Sequence, residues 1–153
     1  MKVLIAGATG AIGSLLLEEL CKDERFHQII AITRRDLALQ SKKLKELKIK
    51  SLSDLLNIDG DPNFDKQDLD NIDVLFCCLG TTIKAAGSRE EFRKVDFEGV
   101  KILAKKKKKI KIKHFLLISA AGANKNSPIF YNQVKGEAEE VLLHHNIPQI
   151  SIF

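Results

Sequence analysis

The chain has 153 residues, of which 44% are hydrophobic and 29% charged, with a formal net charge of +5. That length suffices for one domain with its own core, and no apolar run is long enough to span a bilayer. Three cysteines, two of them adjacent in an apolar run, do not make a disulfide framework. They fit a reducing compartment, read here as the cytoplasm, and Gly7 and Gly10 interrupt any signal-peptide pattern at the N-terminus.

Apolar runs and helical patterns then alternate. Residues 3–6 form the first strand, and 11–22 a helix with Ile12, Leu15, Leu16 and Leu20 at helical spacing. A second strand covers 28–33, a short helix 39–47, and a weaker strand 51–57, where Asp54 interrupts the pattern. A buried strand follows at 74–79, a long helix at 89–108, a strand at 114–119, a helix at 129–145 and a last strand at 148–153. Strands apolar throughout are buried on both faces, as in a parallel sheet covered by helices. The expected fold is therefore α/β, a doubly wound parallel sheet of the Rossmann type. Ligands in such sheets bind beyond the carboxyl ends of the strands.

The first such end carries Gly7, Thr9, Gly10, Ala11, Ile12 and Gly13. Three glycines at a spacing of three, between a strand and a helix, leave backbone N–H groups and a positive helix end free to cradle a phosphate. The spacing is G-x-x-G-x-x-G, not the G-x-G-x-x-G of the commonest dinucleotide fingerprint. The second strand runs into Thr33, Arg34, Arg35 and Asp36. An arginine at this place accommodates a 2′-phosphate, whereas an acid would accept from a ribose hydroxyl. Arg34, ahead of Arg35, favours NADP(H). Asp36 would serve NAD(H) if the strand ran further.

Tyr131, the only tyrosine, and Lys135 stand four residues apart on a predicted helix and so share a face. An ammonium beside a phenol stabilises the phenolate, which suits proton exchange with a carbonyl or alcohol during hydride transfer. Ser119, at the end of the fifth strand, could bond the same substrate oxygen.

These segments resemble the short-chain dehydrogenase/reductase superfamily, and within it the atypical Tat-interacting-protein-like branch. The likeness runs through nearly the whole chain. Its most specific parts are Cys77-Cys78-Leu79-Gly80-Thr81-Thr82 and Tyr131-Asn132-Gln133-Val134-Lys135-Gly136-Glu137, with Ala86-Gly87, Val95-Asp96 and Gly122-Ala123 in support. The resemblance implies NADP(H) binding, with Gly80, Thr81 and Thr82 on the adenosine and ribose side and Leu79 beside them at the cofactor. It implies Ser119, Tyr131 and Lys135 as a catalytic triad, with Lys135 also holding the nicotinamide ribose. Two departures stand out. Asp96 replaces the asparagine of many members, and the family continues past Phe153 into a segment that covers the substrate. Residues 1–153 are thus expected to form a C-terminally abbreviated NAD(P)-binding domain.

The remaining features read as bland. The lysines at 105–109, with Lys111 and Lys113, lie at a helix end without interleaved aromatics, so no nucleic-acid partner is expected. Asp59, Asp61, Asn63 and Asp65 imitate a calcium loop but lack its glycine and closing glutamate. His144 and His145 lack the spacing of a metal pair, and no metal is expected. The expected partners are the cofactor and a small molecule, with a homodimer by analogy with the fold and no membrane. The sequence predicts an oxidoreductase, or else a regulatory or interaction module that binds NADP(H) with little turnover.

Overall fold

Val3, Leu4, Ile5 and Ala6 are apolar without interruption, and β1 (Lys2–Ala6) buries all four at the centre of a parallel sheet. The computed structural model describes residues 1–56, 69–106 and 110–153. To one side of β1 lie β2 (Gln28–Thr33) and β3 (Leu44–Lys48). To the other lie β4 (Val74–Cys77), β5 (His114–Leu117) and β6 (Gln149–Ile152). The order is β3-β2-β1-β4-β5-β6, and every pairing is parallel. Ile5 pairs with Ala31 on one side and with Phe76 on the other. The chain builds outward to β3, then crosses back to lay β4 against β1. The reversal opens a crevice between the carboxyl ends of β1 and β4, where this topology places ligands.

Helices cover both faces. α1 (Ala11–Lys22) packs Leu17 and Leu20 on Val3, Ile5, Ile29 and Ala31. The opposite face carries α4 (Gly99–Lys105) and α5 (Phe130–Leu143), whose Leu103, Ala104, Ala138 and Leu142 meet Leu4, Leu75, Phe115 and Leu117. Two short helices, α2 (Ile83–Ala86) and α3 (Arg89–Arg93), lead from the end of β4 toward α4.

Four expectations need correction. Residues 39–47 do not form a helix; β3 occupies their end. Leu44, Lys45, Glu46, Leu47 and Lys48 are strong helix formers, but the free edge of β2 pairs them from Ile29↔Leu44 to Thr33↔Lys48 and buries Leu47 completely. The strand expected at 51–57 is a 3-10 turn, Leu52–Leu56, and Asn57 lies outside the described residues. Asp54, which interrupts the strand pattern, accepts from the N–H groups of Lys50 (2.8 Å) and Ser51 (2.9 Å) and so caps that turn. The long helix at 89–108 runs from α3 into α4 through a π segment, Lys94–Glu98, and ends at Lys105. Finally, the expected stripe of α1 turns inward only in part: Leu20 is buried and Leu16 packs against the core. Gly13, Leu17 and Leu20 are buried, while Ile12 and Leu15 remain 52% and 65% exposed. Gly13 has to face the β1 turn, and that sets the rotation of the helix.

Candidate cofactor and active site

β1 ends at Ala6, and Gly7 takes a left-handed conformation with φ +86°. A side chain there would collide with the backbone of Cys78 and Leu79. Gly10 donates its N–H to the Gly7 carbonyl at 3.0 Å and caps α1 without a side chain. No acid stands in the first turn of α1, so its N–H groups and positive end remain available to an anion. This cradle suits a pyrophosphate.

A cleft of about 380 Å3 opens along the carboxyl ends of β1, β2 and β4. Gly7, Thr9 and Gly10 line it from the first loop, Arg34 and Arg35 from the second, and Leu79, Gly80 and Thr81 from the third. Ala11, Ile12, Gly13 and Thr82 do not line it. Thr82 instead caps α2, accepting from Ala85 N–H at 3.0 Å. Leu52, Ala85 and Ala86 complete the wall. The arginine loop is braced at its root. Thr33 Oγ1 accepts from Arg35 N–H at 3.1 Å and donates to Arg35 O at 2.5 Å. Arg35 Nη2 reaches Thr9 Oγ1 at 3.4 Å, tying this loop to the glycine turn. Asp36 points elsewhere: it is exposed and pairs with Lys48 on β3, whose ammonium holds the carboxyl below its usual range.

Beneath the third loop lies a buried ion pair. Asp96, in the π segment, meets Lys135 of α5 with Oδ1 and Nζ 2.7 Å apart, the two side chains 0% and 7% exposed. The contact is an ion pair rather than an aligned hydrogen bond, since Oδ1 has no well-directed donor. Oδ2 accepts the Thr81 N–H at 3.0 Å. Burial pushes the Asp96 carboxyl above its usual range, and the Lys135 ammonium pulls it back. A methyl group built on Gly80 would touch Lys135 Nζ at 3.6 Å and Asp96 Oδ1 at 3.7 Å. The pair therefore forms the floor under Gly80.

Ser119 sits just beyond β5, where its N–H donates to Phe153 O at 2.7 Å. Its hydroxyl donates to Glu139 of α5. Tyr131, in the first turn of α5, tilts against the fully buried Phe92 with ring centroids 5.4 Å apart. Gly136 lets the backbone of Asn124 and Lys125 lie directly on α5, which fixes the height of Tyr131 and Lys135. Tyr131, Lys135 and Glu139 recur every fourth residue and share one helix face. Burial raises the Cys77 thiol to about 12 and the Cys78 thiol to about 11, which favours the neutral thiol at both.

Sequence reasoning noted Asp96 only as a departure and missed Glu139. A signal was present for each. Phe92, Asp96, Gly99 and Leu103 fall on one helical stripe, and Asp96 is the charge within it. Glu139 stands one turn beyond Lys135.

Of the lysine cluster, Lys106 is buried, Lys111 pairs with Asp70 at 3.2 Å, and Lys113 pairs with Asp73 at 2.6 Å. Residues 107–109 and the acidic stretch Asp59, Asp61, Asn63 and Asp65 lie outside the described residues. Among the described residues, no helix is long and apolar enough to cross a membrane.

Residues 7–146 match the sequence model of the NAD(P)H-binding family. Protein HTATIP2 of Rattus norvegicus is 35% identical over 152 residues, covering 99% of this chain and 60% of that protein. Protein FMP52-1, mitochondrial, of Scheffersomyces stipitis is 29% identical over 99% of this chain and 65% of its own length. The chain thus spans less than two thirds of these relatives. Among solved structures, MoeE5 in complex with UDP-glucose and NAD superposes with a TM-score of 0.74 at 20% identity, over 99% of this chain and 52% of that one. The sheet has the Rossmann fold. The cytoplasmic expectation is corrected: several yeast relatives are named mitochondrial, which points away from a purely cytoplasmic protein. Free cysteines report reducing conditions, and more than one compartment supplies them.

Proposed function

The chain belongs to the NAD(P)H-binding family, and from that premise we propose that it is an NADP(H)-dependent oxidoreductase of the short-chain type acting on a carbonyl/alcohol pair. One observation carries the reading: Lys135, from the helix that holds Tyr131, lies directly under Gly80 in the wall of the cofactor cleft. Ser119, Tyr131 and Lys135 do not line the cleft themselves, and the contact of Lys135 with Gly80 is what supports joining them to it. Arg34 and Arg35 in the lining, with Asp36 drawn off to Lys48, support the phosphorylated cofactor.

The glycine turn and the open end of α1 hold the pyrophosphate, and Arg34 meets the 2′-phosphate. The nicotinamide, when bound, supplies or accepts the hydride. Tyr131 Oη gives a proton to the substrate oxygen in reduction and takes one in oxidation. Lys135 supports the phenol electrostatically from one turn away, and Ser119 orients the substrate oxygen. Calorimetry of NADPH against NADH tests the cofactor assignment. A carbonyl panel with NADPH tests turnover, which Tyr131→Phe abolishes while leaving cofactor affinity intact. Equal loss of both would refute that role.

A second reading is a module that binds NADP(H) and changes a surface without turning over. It draws on the commitment of two polar groups within the chain, the Ser119 hydroxyl to Glu139 and the Lys135 ammonium to Asp96. Tight NADPH binding with silence across the panel supports it.

A further inference from the structure

Among the described residues, Glu91 is the one acid in the lining of the cleft. A carboxylate there opposes the phosphates that the glycine turn, Arg34 and Arg35 attract, unless it meets a hydrogen-bond donor of the ligand. We propose that Glu91 recognises the adenine base of the cofactor by accepting a hydrogen bond from its exocyclic amine, and so selects an aminopurine over an oxopurine. The proposal rests on the cofactor-binding part of the proposed function and not on turnover.

The sheet order places the base. A nucleotide with its pyrophosphate at the β1 turn and its adenosine ribose at the arginine loop runs from β1 past β2, toward β3. Ile49, just after β3, and Leu52, in the 3-10 turn that follows, line that end of the cleft. The helices close on the same end: a methyl group on Gly99, at the start of α4, would sit 3.1 Å from Leu52 Cδ1. Val95 and Glu91 precede Gly99 in the π segment and α3, and both line the cleft with Ala85 and Ala86 of α2. An apolar slot of this kind suits a flat heterocycle, but burial alone does not tell one purine from another.

Glu91 supplies the polar group. Lys94 Nζ holds its Oε1 at 2.5 Å, and its N–H donates to Ser88 Oγ at 3.1 Å in the first turn of α3. Oε2 has no partner among the described residues. The adjacent Phe92 is fully buried and pins the helix. Asp54, the acid of the turn after β3, lies outside the lining and spends its carboxylate on the N–H groups of Lys50 and Ser51 and on the Ser51 hydroxyl. The ribose hydroxyls of the cofactor stay beside its phosphates, and the carboxamide belongs to its nicotinamide end, so the adenine amine is the donor left for this slot. An ionised carboxylate accepts and cannot donate, so it fits that amine and repels an oxygen in its place.

Calorimetry of the whole chain reads the proposal with two probes, NADPH and its analogue in which hypoxanthine replaces adenine. The native chain binds NADPH about tenfold more tightly than the analogue. Glu91→Ala weakens NADPH to the level of the analogue and does not weaken the analogue. Glu91→Gln, whose amide offers a donor as well as an acceptor, brings the two probes within about twofold of each other. Glu91 is exposed, so both variants keep the fold, and thermal melts without cofactor check this. Equal affinity of the native chain for the two probes overturns the proposal. So does a loss on Glu91→Ala shared equally by both probes, which assigns the carboxylate to a ribose hydroxyl instead. If the chain takes NADH in place of NADPH, NADH and its hypoxanthine analogue read the same base, and the proposal stands while the NADP(H) assignment falls. A chain that discriminates the bases but turns over no carbonyl compound keeps Glu91 in this role and loses the enzyme reading. A chain that binds neither dinucleotide overturns both.

Discussion

Gly13 faces the carbonyl of Gly7 so closely that no side chain fits between α1 and the end of β1. Gly10, between them in sequence, has no such neighbour: a methyl group there would meet only the Gly7 oxygen, at 3.3 Å, and its φ of −82° suits any residue. The two glycines therefore serve different ends. Gly13→Ala destabilises the fold by roughly 1–3 kcal/mol through forced displacement of backbone. Gly10→Ala leaves the melting temperature nearly unchanged and weakens NADPH binding by blocking close approach to the pyrophosphate. Thermal melts with and without NADPH separate the two effects, and equal destabilisation by both substitutions would contradict them.

Arg34 and Asp36 give opposite forecasts. Arg34→Ala weakens NADPH by about tenfold or more, a loss of about 1.4 kcal/mol, and leaves NADH within twofold. Asp36→Ala removes only an exposed pair with Lys48 and changes neither affinity. Parallel titrations of the two cofactors check this. A selective loss of NADH on Asp36→Ala would restore the NAD assignment.

Removing one partner from the buried pair costs more than removing both. Asp96→Ala strands the Lys135 ammonium and the Thr81 N–H and destabilises by about 3–5 kcal/mol. Asp96→Asn/Lys135→Met recovers most of that loss, because no uncompensated charge remains. Denaturant melts of the two variants and the native chain measure the difference.

At the other end of the sheet, Asp73 has its carboxyl below the usual range, first because the Lys113 ammonium bonds it and next because the Lys2 N–H does. A lowered folded value means stability that is present above the ordinary carboxylate range near pH 4 and is lost as pH falls through the folded value. Asp73→Asn therefore lowers the melting temperature at neutral pH, by the equivalent of about 1 kcal/mol at most, given how exposed Lys113 is. Once the pH is below the folded value of Asp73, the two proteins melt alike. A constant gap across that range would mean the contact is not electrostatic.

What the sequence carried well was whatever depends on neighbours along the chain. The uninterrupted apolar runs of β1 and β2, the glycines of the first turn and the four-residue step from Tyr131 to Lys135 are local patterns with local causes. The misses depend on partners far along the chain. Residues 39–47 read as helix because Leu44, Lys45, Glu46 and Leu47 favour helix, and only the waiting edge of β2 makes their end a strand. The inward face of α1 is set by Gly13 against Gly7, which outweighs the run of leucines. Asp96 was visible as an oddity, but its partner lies 39 positions away and its inward orientation comes from a π segment that no residue pattern announces. The carboxyl-end loops were legible as places, while their division into cleft wall, helix cap and buried support was not.

Gly80 is exposed and has no side chain, and the Asp96–Lys135 pair begins just behind its α-carbon. The insulation between the buried charges and whatever lies in the cleft is therefore one layer of peptide backbone. A single methyl group at residue 80 would thicken that layer. The charge state of a pair sealed from water is thus within electrostatic reach of the cleft without either side chain having to move.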